Sequence, residues 1–598
     1  MFQKILIANR GEIAVRVIHA CRALGVRSVA IYSEADTDAL HVRLADEAHP
    51  CGPARATESY LDIPGIVAIA QRTGAEAVHP GYGFLSENAD FAQAVIDAGL
   101  VFIGPSPEVI RAMGGKIAAR EAMRAAGVPV VPGVREAIRS VEAAHAAAQE
   151  LGYPVLVKAS AGGGGRGMRR VNDEAELEAA LERAASEALA AFGDDTIYLE
   201  KYLSGPRHIE IQILADRQGN TLHLGERECS IQRRHQKLVE EAPAFGMSAS
   251  RRAEMGDAAV RAARAVGYVG AGTCEFMLDS SGASYFLEMN TRIQVEHPVT
   301  EAVTGLDLVA LQIRIAAGEA LPFGQSEVAL TGHAIEVRIY AEDPDAGFVP
   351  SPGSILAWHA PEGPGVRLDA GFEAGLSVTP HYDAMLAKLI VHGRDRREAL
   401  ARLVDALDAF WIAGVRTGLP FLRRLAKNET FRAGAYDTGF VESELARAGS
   451  GLAAPRELDA QIRALVLVAA AHQVVAGGDD DVARRIRLQL PRRDPVVVAI
   501  EIEPEAVDAS GLAGREGGPR SNRVRAVIEE ADERSEVFVR MTTVRRGETP
   551  TRAGLEPTAD VVFDAELAGC VSRLTVVAKK NGEIDVGLRD QLVRVRVK

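Results

Sequence analysis

The sequence predicts a multidomain chain of α/β and α+β type that closes with a mostly β C-terminal domain. Three observations carry this. Strand and helix patterns alternate over roughly the first 110 residues, strands and helices mix without that alternation from 205 to 445, and short β-branched runs dominate after residue 495. Regular alternation implies right-handed βαβ units and a parallel sheet. At roughly 150 residues per domain, a chain of 598 residues has room for about four domains.

Each element has a local cause. The apolar run Lys4–Ala8 reads as a strand, Glu12–Leu24 as a helix stopped by Gly25, and Ser28–Tyr32 as a second strand. Ile63–Arg72 is a helix closed by Thr73-Gly74, and the strand Ala77-Val78-His79 follows. The helix Phe91–Ala98 ends at Gly99 and leads to Val101-Phe102-Ile103 and a Gly104-Pro105 stop. This first domain is placed at 1–114. Past the Pro132-Gly133 turn, a smaller unit (135–204) holds the strand Pro154–Lys158, the glycine run Gly162–Gly165 and a charged helix over Asp173–Leu189. From Gly205 to Leu445 come two long β segments, Ile209–Leu214 and Ser284–Met289, and a turn at Pro350-Ser351-Pro352-Gly353. Residues 446–456 are small and glycine-rich, which reads as a linker. A helix, Glu457–Val475, then precedes β runs at Pro495–Ile502, Arg523–Ile528, Val537–Val544, Val561–Phe563, Leu574–Val577 and Leu592–Val597. Asn581-Gly582 between two of these runs is a type I′ hairpin signal.

Composition narrows the function. Lys+Arg 68 against Asp+Glu 82 gives −14, which argues against nucleic acid or a membrane surface as partner. No run of 18 apolar residues appears, and the N-terminus opens on a strand-like run rather than a basic-then-apolar leader. The five cysteines are an odd, scattered set with no CxxC pair, so neither a disulfide framework nor a cysteine zinc site is expected. The expectation is a cytoplasmic, enzyme-sized protein.

Four segments can carry chemistry. Lys158 closes a strand and is followed by Ala159-Ser160-Ala161 and four consecutive glycines, Gly162–Gly165. Glycines in a row disfavour any packed element but suit a flap whose N–H groups surround phosphate oxygens. A flexible surface loop is the alternative, because neither GxxxxGK[ST] nor GxGxxG occurs here. Glu275 and Glu288 flank two short strands, Phe276–Asp279 and Tyr285–Leu287, joined by the turn Ser280–Ala283. A hairpin of that kind can set both carboxylates on one face, where a hard divalent cation would relieve their repulsion. Asn290-Thr291-Arg292-Ile293-Gln294-Val295-Glu296-His297 follows directly and is dense in groups that can hold an oxyanion. Arg227–Lys237 is a cationic patch in an acidic chain, and His79–Asn88 is a glycine-rich turn at a strand end, where open parallel sheets collect ligands. Solvated turns and faces are the alternative readings of these segments.

Together the segments resemble the biotin carboxylases, ATP-grasp enzymes of the biotin-dependent carboxylase systems. The resemblance rests on Asn9-Arg10-Gly11-Glu12-Ile13-Ala14, His79–Asn88 (HPGYGFLSEN), Lys158–Met168 (KASAGGGGRGM), Gln232–Lys237 (QRRHQK) and Glu288–Glu301 (EMNTRIQVEHPVTE), in order over about 1–445. It implies a PreATP-grasp parallel α/β domain over 1–114 and an ATP-grasp domain over 115–334 with a lid at 135–204. A biotin carboxylase C-terminal subdomain would span 335–445. It also implies two half-reactions: ATP phosphorylates bicarbonate to carboxyphosphate, and a ureido nitrogen of biotin then takes up CO₂. Carried over residue by residue, Lys116 and Lys158 would hold phosphates under the Gly162, Gly163, Gly164, Gly165 flap. Glu200, Lys201 and Leu203 would face the adenine, with His208, Gln232 and His235 completing the ATP site. Glu275, Glu288 and Asn290 would bind Mg²⁺ or Mn²⁺. Bicarbonate would meet Lys237, Arg292, Gln294 and the backbone of Val295, with Glu296 as general base. Arg338 would stabilise the biotin anion and Tyr82 would line the biotin pocket. Ala161 departs from the pattern, where many members carry another glycine, and this would stiffen the flap.

No Met-Lys-Met occurs, and after residue 445 the lysines are Lys579, Lys580 and Lys598. Lys579-Lys580 precedes the Asn581-Gly582 turn, so a degenerate biotinylation hairpin is one alternative. Without the flanking methionines, the resemblance implies that biotin arrives on a biotin carboxyl carrier protein, or on a segment beyond this sequence. Residues 457–598 are similar to the linker domain of larger acyl-CoA carboxylases, and Tyr436–Phe440 to the acyl-CoA carboxylase α-chain. That implies a partner-docking domain, partnership with a carboxyltransferase subunit, and a homo-oligomer. Other readings remain at this point: another ATP-grasp ligase, or a non-catalytic scaffold of the same complex.

Overall fold

The computed structural model describes residues 1–134, 138, 140–159, 168–192, 196–234 and 236–447, together with eight strands between 484 and 597. The first five strands, Lys4–Ile7, Arg27–Ser33, Glu47–Gly52, Ala77–His79 and Val101–Phe102, form a parallel sheet with Lys4–Ile7 at its centre. Ile5, Leu6 and Ile7 are all fully buried, the continuous apolar run that a strand covered on both faces requires. The expected helices appear as Gly11–Ala23, Ile63–Thr73 and Ala89–Asp97. The edge strand Glu47–Gly52 and the short helix Leu40–Leu44 were not expected. With Pro50 and polar neighbours this strand carries no apolar signal, which an edge position tolerates.

A three-stranded antiparallel sheet, Arg169–Val171, Val155–Ala159 and Ile197–Lys201, follows, with helices Val141–Leu151 and Glu174–Phe192 packed on it. The next sheet has eight strands in the order Ser284–Asn290, Gly270–Leu278, Arg207–Ala215, Thr221–Arg233, Gln236–Ala242, His333–Tyr340, Met385–Gly393 and Val366–Ala370, every neighbour antiparallel. It runs unbroken from the glutamate hairpin into 335–445. Its far end is covered by helices Arg396–Ala409 and Leu419–Lys427 over Val337, Leu389, Leu403 and Leu422. Helix Gly11–Ala23 packs against helix Leu308–Ala316 and shares their apolar core with Ile5, Ile7 and Ile293, so the first turn of that helix stands beside the end of the large sheet.

The strands between 484 and 597 close an antiparallel barrel of eight, Arg484–Gln489 pairing with both Val496–Pro504 and Gln591–Val597. The mostly β expectation holds, and two of the eight strands, Arg484–Gln489 and Glu583–Leu588, were not expected. The strands on either side of Asn581-Gly582 pair antiparallel, as a hairpin demands. The expected helix Glu457–Val475 and the linker 446–456 lie outside the described residues, apart from Ala446 and Arg447. Among the described residues no helix is long and apolar enough to cross a membrane.

Candidate active site

The site is built on one face of the large sheet. Glu275 pairs directly with Glu288 across the hairpin, Glu275 with Glu210 on the next strand, and Glu210 with Arg227 on the one after. Residues opposite each other in antiparallel strands share a face, so this register sets three carboxylates and a guanidinium in one row. A bulge between Glu275 and Phe276 re-aims the chain there, and the edge-to-face rings of Phe276 and Phe286, 6.0 Å apart, are fully buried in the core. The hairpin turn is closed by the Asp279 carboxylate, which accepts from the Ser281 and Ala283 N–H groups.

Lys237 resolves the crowding of like charge. Its ammonium donates to Glu210, to Glu275 at 3.0 Å and to Glu296 at 2.9 Å. Burial would lower the Lys237 pKa, but the three carboxylates outweigh it and hold the group well above its ordinary value, fully cationic. Burial would raise Glu275, yet Lys237 and His208 hold it well below the usual carboxylate range. Glu210 goes the other way and is pushed up to about 7 by burial and by Glu296, against Lys237. His208 lies with Nε2 3.0 Å from Glu275 and is held more basic than an ordinary histidine despite its burial.

Two cavities flank this row. The first, about 400 Å³, is lined by Lys158, Glu200, Lys201, Leu203, His208, Gln232, Lys237, Glu275, Glu288, Asn290 and Arg292. Its apolar walls are Val131, Leu156, Met168, Tyr198, Met277 and Leu287. The second, about 530 Å³, is lined by Tyr82, Arg292, Val295, Arg338, Tyr340, Tyr382 and Met385, with Glu12 at its wall. Arg292 lines both. Glu296 joins them too: it accepts from Lys237 on the first side and from Arg338, at 2.9 Å, on the second. Burial would raise the Glu296 carboxyl, but Lys237, Arg338 and Arg227 hold it well below the ordinary value, as expected for a carboxylate between cations.

The structure thus brings together the predicted residues that it describes. Gln294, fully buried, accepts from Arg227 at 2.6 Å and donates to Glu275 at 2.9 Å. Asn290 donates to Glu275 at 2.8 Å and accepts from Arg292 at 3.0 Å. Gly162–Gly165 and His235 lie outside the described residues, as does the side chain of Lys116, whose backbone opens the helix Lys116–Ala125. Sequence reasoning missed Arg120, Glu210, Arg227 as a buried core ion, Lys388, and Glu240, which accepts from Arg338 at 2.7 Å. Glu200, expected against a base, is gripped by Arg120 and by Lys158 at 2.6 Å. The alternation Ile209-Glu210-Ile211-Gln212-Ile213 was the available signal for Glu210, since it places two polar side chains on one face of a buried strand. Lys388, alone in the apolar run Met385–Gly393, was the other.

The donor set fits a hard divalent cation. Two carboxylates face each other directly across the hairpin, with the Asn290 amide bonded to Glu275 and all three lining the first cavity. His208, Glu210 and Glu275 also lie within ligand reach of one another, but Lys237 already bridges Glu210 and Glu275.

Comparison with known proteins gives the chain's family. Family models for the biotin carboxylase N-terminal domain, the carbamoyl-phosphate synthase L chain ATP-binding domain and the biotin carboxylase C-terminal domain match residues 1–110, 115–323 and 336–443. Biotin carboxylase 1 of Bacillus subtilis (strain 168) is 53% identical over 444 residues, which covers 74% of this chain and 99% of the relative. A pyruvate carboxylase subunit of Methanothermobacter thermautotrophicus is 52% identical over 466 residues, covering 78% and 93%. The biotin carboxylase domain dimer of Hydrogenobacter thermophilus 2-oxoglutarate carboxylase, solved with MgADP, ADP and bicarbonate, matches at a TM-score of 0.72 and 50% identity, covering 74% of this chain and 98% of that one. A chain that matches its relatives over nearly their whole length, and carries the Lys237–Glu296–Arg338 bridge between two cavities, belongs to the biotin carboxylase family.

Proposed function

We propose that this enzyme uses ATP and bicarbonate to carboxylate biotin presented on a carrier, with the nucleotide in the 400 Å³ slot and the biotin ureido ring in the 530 Å³ cavity. The observation that carries the reading is Glu296, shared between Lys237 and Arg338 where the two cavities approach. Bicarbonate would lie against Lys237, Arg292, Gln294 and the Val295 N–H, with one oxygen directed at the γ-phosphorus. Glu296 enters this step ionised, because the cations around it keep its proton off. Once bicarbonate shares those cations, Glu296 becomes more basic and can take the proton as the oxygen attacks, forming carboxyphosphate and releasing ADP. Carboxyphosphate then splits into CO₂ and phosphate. The phosphate takes the ureido N–H proton, Arg338 steadies the negative charge left on the ureido oxygen, and the nitrogen attacks the CO₂ carbon, with Tyr82 lining the ring site. Lys158, Lys116 and the Gly162–Gly165 flap would hold phosphates, Glu200, Lys201 and Leu203 would border the base, and His208, Gln232 and His235 would complete the nucleotide site. Glu275, Glu288 and Asn290 would hold Mg²⁺ or Mn²⁺, which supplies neutralisation of phosphate charge when bound.

The same reading divides the chain into 1–114, 115–334 with a lid at 135–204, 335–445, a linker at 446–456 and a partner-docking domain at 457–598. Its partners are a biotin carboxyl carrier protein and a carboxyltransferase subunit, its catalytic part is homo-oligomeric and its setting cytoplasmic. Because relatives serve pyruvate and 2-oxoglutarate carboxylases, membership of an acyl-CoA carboxylase rests on Tyr436–Phe440 and on the C-terminal domain rather than on the shared catalytic residues. The test is ATP hydrolysis by the full chain with Mg²⁺ and bicarbonate, with and without free biotin. Stimulation by biotin is expected; turnover blind to both bicarbonate and biotin overturns the reading.

A further inference from the structure

Glu12 is a buried carboxylate that no step above uses. It sits in the first turn of the helix Gly11–Ala23 and reaches the wall of the second cavity. One oxygen accepts a hydrogen bond from the Tyr82 hydroxyl. The other lies 3.1 Å from the ammonium of Lys388, which is fully buried and donates at 2.9 Å to the carbonyl of Val295. The Lys388 ammonium is also 6.0 Å from the centre of the Tyr82 ring. Three segments far apart in sequence therefore meet at one carboxylate: the turn carrying Tyr82, the strand Met385–Gly393 and, through Lys388, the peptide of Val295.

We propose that Glu12 is a positioning residue for biotin: its carboxylate fixes the Tyr82 hydroxyl, and hence the ring, against the cavity in which Arg338 and Val295 stand. The inference rests on the reading of that cavity as the biotin site. An aromatic ring held by a charge-assisted hydrogen bond keeps one orientation, whereas a ring held by packing alone can turn about its side-chain torsions. The bond touches no reacting atom, so its loss acts on how well the ring receives biotin rather than on the chemical step.

Titration gives the arrangement a signature. Burial, the largest influence, with Asp369 adding to it and Lys388 and Arg367 opposing, pushes Glu12 up to about 7. The charged and titratable groups facing it are Tyr82, Lys388 on the strand Met385–Gly393, and Asp369 and Arg367 on the strand Val366–Ala370. Above that value Glu12 is an anion that accepts from Tyr82; below it the charge is lost and the bond weakens.

The experiment measures bicarbonate-dependent ATP hydrolysis against free biotin concentration, between about pH 6 and 8.5. It uses the full parent chain, Glu12→Gln, Tyr82→Phe and the double variant. Glu12→Gln should raise the KM for biotin about ten-fold at the alkaline end, with kcat and the KM for ATP within about two-fold. The parent's KM for biotin should fall as pH rises through about 7, and the profile of Glu12→Gln should be flat. The double variant should match Tyr82→Phe, because Glu12 acts through that hydroxyl. An unchanged KM for biotin in Glu12→Gln, a retained pH profile, or independent multiplication of the two single effects each overturns the proposal. Should Glu12→Gln fail to fold, Tyr82→Phe alone decides it, since a parent-like pH profile in that variant excludes control through the hydroxyl. A parent with no response to biotin at all overturns the functional reading instead, and with it the inference.

Discussion

Glu296 and Lys237 lie 2.9 Å apart in the interior, and the second carboxylate oxygen of Glu296 is the same distance from Arg338. A base placed between two cations is weak while the site is empty of anions and stronger once bicarbonate draws on the same cations, so its basicity is tied to the presence of substrate. Replacing Glu296 with Gln keeps the shape and removes the proton acceptor. We expect bicarbonate-dependent ATP cleavage to fall by about 10² to 10⁴-fold while nucleotide affinity, read by calorimetry, changes little. Full turnover in Glu296→Gln would remove it as the base. Its depressed value also has a sign. A carboxyl held below its unfolded value lends stability that is present above that value and lost only as pH falls through the folded one. No acid limb of kcat/KM for bicarbonate between about pH 6 and 8 should therefore trace to Glu296 in the free enzyme.

Glu288 faces Glu275 across the hairpin and lines the nucleotide slot. Glu288→Gln removes one of the two opposed charges. The Mg²⁺ concentration for half-maximal turnover at fixed ATP should rise about ten-fold. An unchanged Mg²⁺ dependence would place the metal elsewhere.

Whether a residue could be read from the sequence depended on how its neighbours pattern. Glu275 and Glu288 were legible because a short turn between two strands sets the register, and Arg292, Gln294 and Glu296 because polar groups crowd one segment after an apolar strand. Glu210, Arg120 and Lys388 were not. Each sits in a strand or helix whose local pattern does not single it out, and whether it is paired depends on partners 27, 80 and 376 positions away in Lys237, Glu200 and Glu12. The parallel sheet at the N-terminus showed itself by its apolar central strands, while the edge strand Glu47–Gly52 had no pattern to show. In the C-terminal barrel, Arg484–Gln489 alternates charge with aliphatic residues and is flanked by arginine-rich sequence, which hides a strand in composition alone.

Glu241 gives a prediction about acid stability. It is buried and accepts from Arg396 at 2.7 and 2.8 Å, from Tyr436 at 2.6 Å, and lies 2.7 Å from the His333 ring. Burial would raise it, yet the hydrogen bonds from Arg396 and His333 bring it down to about 2. The stability this lends is complete above the unfolded value of about 4.3 and is lost as pH falls toward 2, roughly 3 kcal/mol in all. Arg396→Met should lower the thermal midpoint at neutral pH, with a deficit that shrinks on acidification below about pH 4. A deficit that stays the same from neutral pH down to about pH 3 would mean that Arg396 acts by packing on Phe245 and Phe431 rather than through Glu241.

Arg120 provides the test of how the nucleotide slot is held open. Its guanidinium donates to Glu200 and to the Val131 carbonyl, and lies 5.6 Å from the centre of the Tyr198 ring. Glu200 is thereby balanced by Arg120 as well as by Lys158, which leaves the Lys158 charge only partly committed to it. In Arg120→Met the buried carboxylate keeps Lys158 as its main partner, at a cost of about 3–5 kcal/mol for the broken buried pair. Lys158 is then drawn away from phosphate, so the KM for ATP should rise several-fold while kcat holds. Adding Glu200→Gln removes the uncompensated charge and should restore both the thermal midpoint and the KM in part. Strictly additive losses in the double variant would show that Arg120 and Glu200 act independently on the slot.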